Sequence, residues 1–376
     1  MTARKAGLGI ILVCIPLCLV MAQSSPDKGP IKGQWTLELE PGGDVQFSIH
    51  RSSSGHNQYS SSSAYRLDSF RGLTRAQIEG GGAAKFELIR DAGSLVCEGT
   101  FRSGGGGGTF TFSPSPQYVA AMRDLGYSGL DEERLFELTV HDVSLAYIHE
   151  LDALGYHRLP LDQLVEMRIH GVSTGYIRDL RAVGYTLSPD QLVEMRIHGV
   201  EPEFARALKS AGYGTAPADE LVELQIHGVT MEYMKGFEDM GYGRIPLDNL
   251  VQLRIHGVTP EFADQLRALG YGRVGADELV QLKIHGVSTD YVKELQGLGY
   301  KNVPVDDLVQ LKIHGVSIGF IQDLKGYGYD HVPVSDLIEM RIHGVTGSSI
   351  QKLQAAGYKN LTIDQLVQLH IHGVVQ

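Results

Sequence analysis

The chain has 376 residues, a formal charge of −11 and a hydrophobic share of 43%. That length exceeds one small core and makes room for at least two domains. The acidic balance excludes the Lys/Arg surplus that nucleic-acid phosphates demand, so no nucleic-acid partner is expected.

Residues 1–22 read as a secretory signal peptide. Arg4 and Lys5 form a basic start, "GLGIILVCIPLCLVM" is the apolar run, and Val20 and Ala22 supply small residues before Gln23. The run is short for a span of about 20 residues, and no later segment could cross a membrane, so no stable span is expected after cleavage. The expected location is therefore exported, periplasmic or extracellular. Cleavage takes the formal charge from −11 to −13 and removes Cys14 and Cys18. Cys97 then stands alone, which excludes an internal disulfide. Cys18 lacks the small residue expected before a lipid-bearing cysteine.

Residues 23–33, "QSSPDKGPIKG", are polar and rich in turn formers, and read as a linker. Residues 34–113 follow a two-residue period that predicts a small antiparallel β domain. Trp35, Leu37 and Leu39 share one face, as do Val45, Phe47 and Ile49, then Phe86 and Leu88, Leu95, Cys97 and Phe101, and finally Phe110 and Phe112. Cys97 falls on the apolar side and is expected to be a buried thiol. "RSSSGHNQYSSSS" reads as a flexible interruption, and its His56 has no partner at ligand spacing. Gly104 to Gly108 are expected to form a hairpin loop; no Lys-Ser or Lys-Thr follows, which excludes a phosphate loop.

From residue 114 to 376 the grammar is a repeat. His141, His170, His198, His227, His256, His285, His314, His343 and His372 recur every 29 residues, with one interval of 28. A Gly-Tyr pair keeps the same beat from Gly126 to Gly357, and the missing residue falls in "YTLSPD". In residues 258–287, Thr259 and Pro260 can start a helix whose face is Phe262, Ala263, Leu266 and Leu269, ended by Gly270. Asp277 opens a second helix, in which Leu279, Val280, Leu282 and Ile284 are expected to be buried. His285, Gly286 and Val287 close it. Neither helix is long enough to stand alone in water, so the hairpins must stack. The expected fold is α+β multidomain: a small antiparallel sheet followed by an α-solenoid of nine two-helix repeats, the first degenerate.

The histidines are expected to act as structural repeat caps, together with Gly171, Gly199, Gly228, Gly257, Gly286, Gly315, Gly344 and Gly373. Equivalent positions in stacked helices lie about 8–10 Å apart, too far to share an ion held at about 2 Å. His370 and His372, two residues apart on a helix, point apart. Near-identical units offer no single catalytic constellation, and neither H-E-x-x-H nor G-x-S-x-G occurs. No catalytic, metal or cofactor residues are expected. Asp162, Asp190, Asp219, Asp248, Asp277, Asp306 and Asp364 start the second helices, while Arg168, Arg196, Arg254, Lys283, Lys312 and Arg341 end them; both series complement the helix dipole.

The phrase "L-V-x-[LM]-x-I-H-G-V", preceded by an aromatic-led helix ending in Gly-Tyr, resembles a helical repeat of bacterial exported proteins. Similar repeats trail membrane metallopeptidases of the beta-lactam-sensor type. The strand region, around "AKFELIRDAGSLVCEGTF", resembles the β-region that accompanies such repeats and, distantly, adhesin-type sheets. This chain has no multi-pass membrane part, so peptidase chemistry does not carry over. The expectation is an exported, non-enzymatic interaction protein whose repeats offer a surface to a protein or peptide. The alternatives are an envelope-stress or antibiotic sensor acting beside a membrane peptidase or regulator, and an enzyme acting on cell wall or carbohydrate.

Overall fold

A computed structural model describes residues 30–52 and 58–374. The signal peptide, most of the linker and His56 lie outside the described residues. The chain divides into two compact units, residues 1–168 and 169–376.

The first unit is built on a seven-stranded antiparallel sheet. Its strands are β1 (Lys32–Leu39), β2 (Val45–Ser52), β3 (Gln58–Tyr65), β4 (Phe70–Arg71), β5 (Gly82–Arg90), β6 (Gly93–Arg102) and β7 (Gly105–Pro114). The order β3-β2-β1-β7-β6-β5-β4 joins two meanders through the β1–β7 pair. Near opposite ends of that order, Phe47 on β2 and Phe70 on β4 bring their rings to 5.1 Å. Only a sheet curled on itself permits this contact. Trp35, Phe86 and Phe101 fill the curl, with Trp35 edge-on to Phe86 at 4.9 Å.

Two expectations are corrected here. The glycine run is not a loop: Ser103 and Gly104 make the turn, while Gly105 to Gly108 lie within β7. Aromatic size is the reason. Trp35 pairs across from Gly108, and Phe101 across from Gly106. A Cβ on Gly106 would lie 2.3 Å from the Phe101 ring, and one on Gly108 would lie 2.1 Å from the Glu98 carbonyl oxygen. The glycines vacate the space the rings occupy. Nor is "QYSSSSAY" an interruption, because it forms edge strand β3, paired along its length with β2. Serines on both faces hide the two-residue period. A short helix, α1 (Arg75–Gly80), was also absent from the sequence reading, although Thr74 and Gln77 form a reciprocal capping box.

The first unit continues into two helical hairpins: α2 (Pro116–Asp124) with α3 (Glu132–Val140), and α4 (Leu145–Ala153) with α5 (Leu161–Ile169). Phe136 of α3 stacks on Phe110 at 5.9 Å and meets Phe112 at 5.5 Å, so α3 covers the β6–β7 end of the apolar face.

Among its described residues, the second unit holds seven hairpins. Their first helices are α6 (Thr174–Val183), α8 (Pro202–Leu208), α10 (Met231–Asp239), α12 (Pro260–Leu266), α14 (Thr289–Gly297), α16 (Ile318–Gly326) and α18 (Gly347–Ala355). Their second helices are α7 (Pro189–Ile197), α9 (Ala218–Ile226), α11 (Leu247–Ile255), α13 (Ala276–Ile284), α15 (Val305–Ile313), α17 (Val334–Ile342) and α19 (Ile363–Ile371). First helices pack on first helices and second on second, which makes two layers. With the hairpins of the first unit, these make the nine two-helix repeats that the spacing predicts, in an α+β chain.

Several hairpins close on themselves by the same device. A Ser or Thr caps the first helix except in α8, where Glu201 makes no side-chain cap bond; in α10, Thr230 accepts from the Tyr233 amide at 3.2 Å. The Tyr233 hydroxyl then donates to the Val258 carbonyl, just past the end of α11, at 2.8 Å. Tyr118, Tyr176 and Tyr291 make the same bond to Val143, Val200 and Val316. A second tyrosine column joins neighbours. Tyr213 donates to Ile245 and Tyr300 to Val332, each 32 residues ahead in the next connector. Tyr185 reaches Ala216 at 31, because its own connector is one residue short.

Candidate functional site

The second helices carry the feature that distinguishes this chain's surface. A rotation of about 100° per residue places the second, sixth and ninth positions within about 60° of each other. In α7 these are Asp190, Glu194 and Ile197, and all three are exposed. The fourth and seventh positions, Leu192 and Met195, are buried on the opposite side, and the fifth, Val193, is buried at the edge between the two faces. The other hairpins of the second unit repeat the arrangement, with Ile338 in α17 and Leu369 in α19 half-buried. Ile197, Ile226, Ile255, Ile284, Ile313, Ile342 and Ile371 are 46–55% exposed. This corrects the sequence expectation that Ile284 and its equivalents belong to the buried stripe. The second helix is not apolar all round: its ninth residue lies about 140° from the buried fourth and about 160° from the buried seventh, and about 40° beyond the fifth, which marks the edge of the buried arc.

Charge is sorted on the same helices. Asp190, Asp219, Asp248, Asp277, Asp306 and Asp364 hold the exposed second position, with Ser335 in the eighth repeat. The sixth position is Glu194, Glu223 and Glu339, and otherwise glutamine. Carboxylates gather most closely at α9, where burial and then the charges of Asp248, Asp219 and Glu223 raise the pKa of Glu220.

The basic eighth residues turn inward. The Arg254 guanidinium lies 4.6 Å from the centre of the Tyr233 ring, Arg196 4.9 Å from Tyr176, and Arg341 5.2 Å from Phe320. Lys283 and Lys312 cover Phe262 and Tyr291 at 4.1 and 4.7 Å. Nε of Arg196 and of Arg341 is buried with no hydrogen-bond partner, as suits a guanidinium laid on a ring. In the last repeat the aromatic is replaced by Ser349 and the cation by His370. The dipole argument from sequence is thus incomplete: these cations also pack against the hairpin's own first helix.

The predicted cap residues sit at the helix ends. His198, His227, His256, His285, His314, His343 and His372 occupy the last-residue boundary, each amide bonding to the carbonyl four residues earlier. The following glycines, such as Gly286 at φ 68°, take the left-handed conformation, and Val287 donates back to Leu282 at 2.8 Å. No imidazole of these seven makes a hydrogen bond or ion pair among the described residues. Their shared role at the helix end is therefore carried by the backbone. His141 differs. Its Nε2 meets the Tyr59 hydroxyl at 3.0 Å, and burial, then the charge of Arg168, lowers its pKa. In that repeat Asp142 replaces glycine at φ 54° and pairs with Arg90 and Arg168.

Cys97 is fully buried, and burial pushes its thiol up to about 12. Among the described residues, no group of three or more His, Cys, Asp or Glu could hold a metal ion, and no helix is long and apolar enough to cross a membrane. A cavity of about 20 Å³ lies between Tyr300 and His331, room for about one water.

No known protein family, characterised protein or solved structure matches the chain.

From sequence the histidines stand out as the repeat markers, and the isoleucine beside them is assigned to the core, where it does not lie. The signal was present: a helix position that is isoleucine in every repeat but the first, and in most repeats one step from a cation and seven from an aspartate, lies outside the buried arc on a helical wheel.

Proposed function

We propose that the protein is an exported, non-enzymatic interaction protein, and that the second unit engages a protein or peptide through the outward face of its second helices. The isoleucine ladder carries this reading. Isoleucine is among the residues most often buried, and as a β-branched residue it is a poorer helix former than Lys, Glu or Gln. A single exposed isoleucine needs no explanation; one in each hairpin of the second unit, at the same place on the helix, makes a row of apolar contacts of the kind that binds partners. Stacked hairpins suit such a role because each adds the same surface element beside the last.

The test is to replace Ile255, Ile284 and Ile313 together by serine in the full chain and to compare its cross-linked partners in an envelope extract with those of the unaltered chain. Loss of partners by a variant with unchanged circular dichroism supports the surface. Retention of every partner would remove the ladder from consideration.

A further inference from the structure

The spacing and charges of the ladder specify what it receives. We infer that it is a track for an extended, basic segment of a partner protein, held in the polyproline-II conformation with an apolar residue at every third position. This rests on the reading of the same face as the interaction surface and narrows it to one chemistry.

Spacing is the first argument. Packed helices lie about 8–10 Å apart, so successive isoleucines present apolar contacts at that interval. A polyproline-II chain rises about 3.1 Å per residue with three residues per turn, returning a side chain to the same face every ~9 Å. A β-strand does so every ~6.8 Å and an α-helix every ~5.4 Å, and neither keeps step with the ladder.

Charge is the second argument. On one flank, one and two helical turns before each isoleucine, lie the sixth-position Glu or Gln and the second-position Asp, replaced by Ser335 before Ile342. On the other flank lie the helix ends, where the dipole is negative. The eighth-position cations of these helices lie on aromatic rings, as Arg254 does on Tyr233, rather than beside the carboxylates. A segment laid along the ladder therefore meets negative potential on both sides, which favours Lys and Arg. A second copy of this face would bring carboxylates against carboxylates, so self-association through it is disfavoured.

The experiment titrates the full chain into fluorescein-labelled peptides and reads anisotropy. The probe is six Leu-Pro-Lys triplets, about 56 Å in the polyproline-II form. Comparison peptides replace Lys by Glu, replace Leu by Ser, or shuffle the same residues out of the three-residue period. The Leu-Pro-Lys peptide is expected to bind at least about tenfold more tightly than each of these, and more weakly as salt rises. The Ile255→Ser, Ile284→Ser, Ile313→Ser chain is expected to lose at least about tenfold of that affinity. A second chain carrying Asp248→Asn and Asp306→Asn, positions that touch no core, is expected to weaken the same peptide severalfold. Equal binding of the Glu or Ser peptides overturns the inference, as does affinity untouched by both altered chains. If the serine chain loses its captured partners while the Leu-Pro-Lys peptide does not bind, the partner chemistry is wrong and the surface stands. If the serine chain keeps its partners and the peptide does not bind, both readings fall.

Discussion

Tyr233 donates its hydroxyl to the Val258 carbonyl at 2.8 Å, so the third residue of α10 closes on the chain just beyond α11. The contact is buried and recurs in other repeats, whereas Phe204, Phe262 and Phe320 hold the same place without a hydroxyl. Tyr233→Phe is expected to cost about 1 kcal/mol, the net worth of one such bond. Urea unfolding measures it. The reverse change, Phe262→Tyr, should stabilise by a similar or smaller amount if its hydroxyl reaches the Val287 carbonyl. No gain from Phe262→Tyr would show that the hairpin closes differently there.

Arg254 lies over the other side of that relationship, 4.6 Å from the Tyr233 ring centre. Arg254→Gln removes the cation and is expected to cost about 1 kcal/mol, within the usual span for a partly desolvated cation–aromatic contact. Lysine should recover part of the loss, because Lys283 and Lys312 occupy equivalent places. Phe204 and Gln225 hold the aromatic and cation positions of their own repeat, so Gln225→Arg offers the complementary gain. Thermal melting of the three variants checks the order.

The Tyr59–His141 contact predicts a pH dependence in the first unit. Folding lowers the pKa of His141 below its ordinary value of 6.5, through burial and then the charge of Arg168. The unfolded chain therefore binds the proton more readily. This contribution is complete above about pH 6.5 and is lost as the pH falls from there towards the folded pKa. Stability measured at pH 7.5 and 5.5 is expected to fall less in His141→Gln than in the unaltered chain. Equal slopes would remove His141 as the source.

Gly108→Ala tests the reason for the glycine strand. The added Cβ would stand 2.1 Å from the Glu98 carbonyl oxygen and 2.5 Å from the Gly99 Cα, both backbone atoms that cannot swing away. Overpacking of this kind costs about 1–3 kcal/mol or more. The altered chain should also show a changed Trp35 fluorescence, since Trp35 pairs across from Gly108. Gly105→Ala, where the nearest atoms are 3.8 Å away, is the control and should be nearly neutral.

The sequence by itself determined the repeat, its 29-residue beat, the two helices in each unit and their stop signals. These follow from local rules: a Ser or Thr cap, three- and four-residue apolar spacing, and a glycine that takes φ between 65° and 78° after every repeat histidine but His141. It determined the strands wherever apolar and polar residues alternate, as from Phe86 to Phe101. Local rules failed where a neighbour decides. Gly105 to Gly108 are strand only because Trp35 and Phe101 lie across them, and Gln58–Tyr65 is strand because β2 pairs with it. The tertiary structure also decided which apolar letters are core. Leu282 and Ile284 are both aliphatic and only two residues apart, yet Leu282 is fully buried and Ile284 is 48% exposed. Packing of one hairpin on the next covers a limited arc of each helix, and the isoleucine lies outside it.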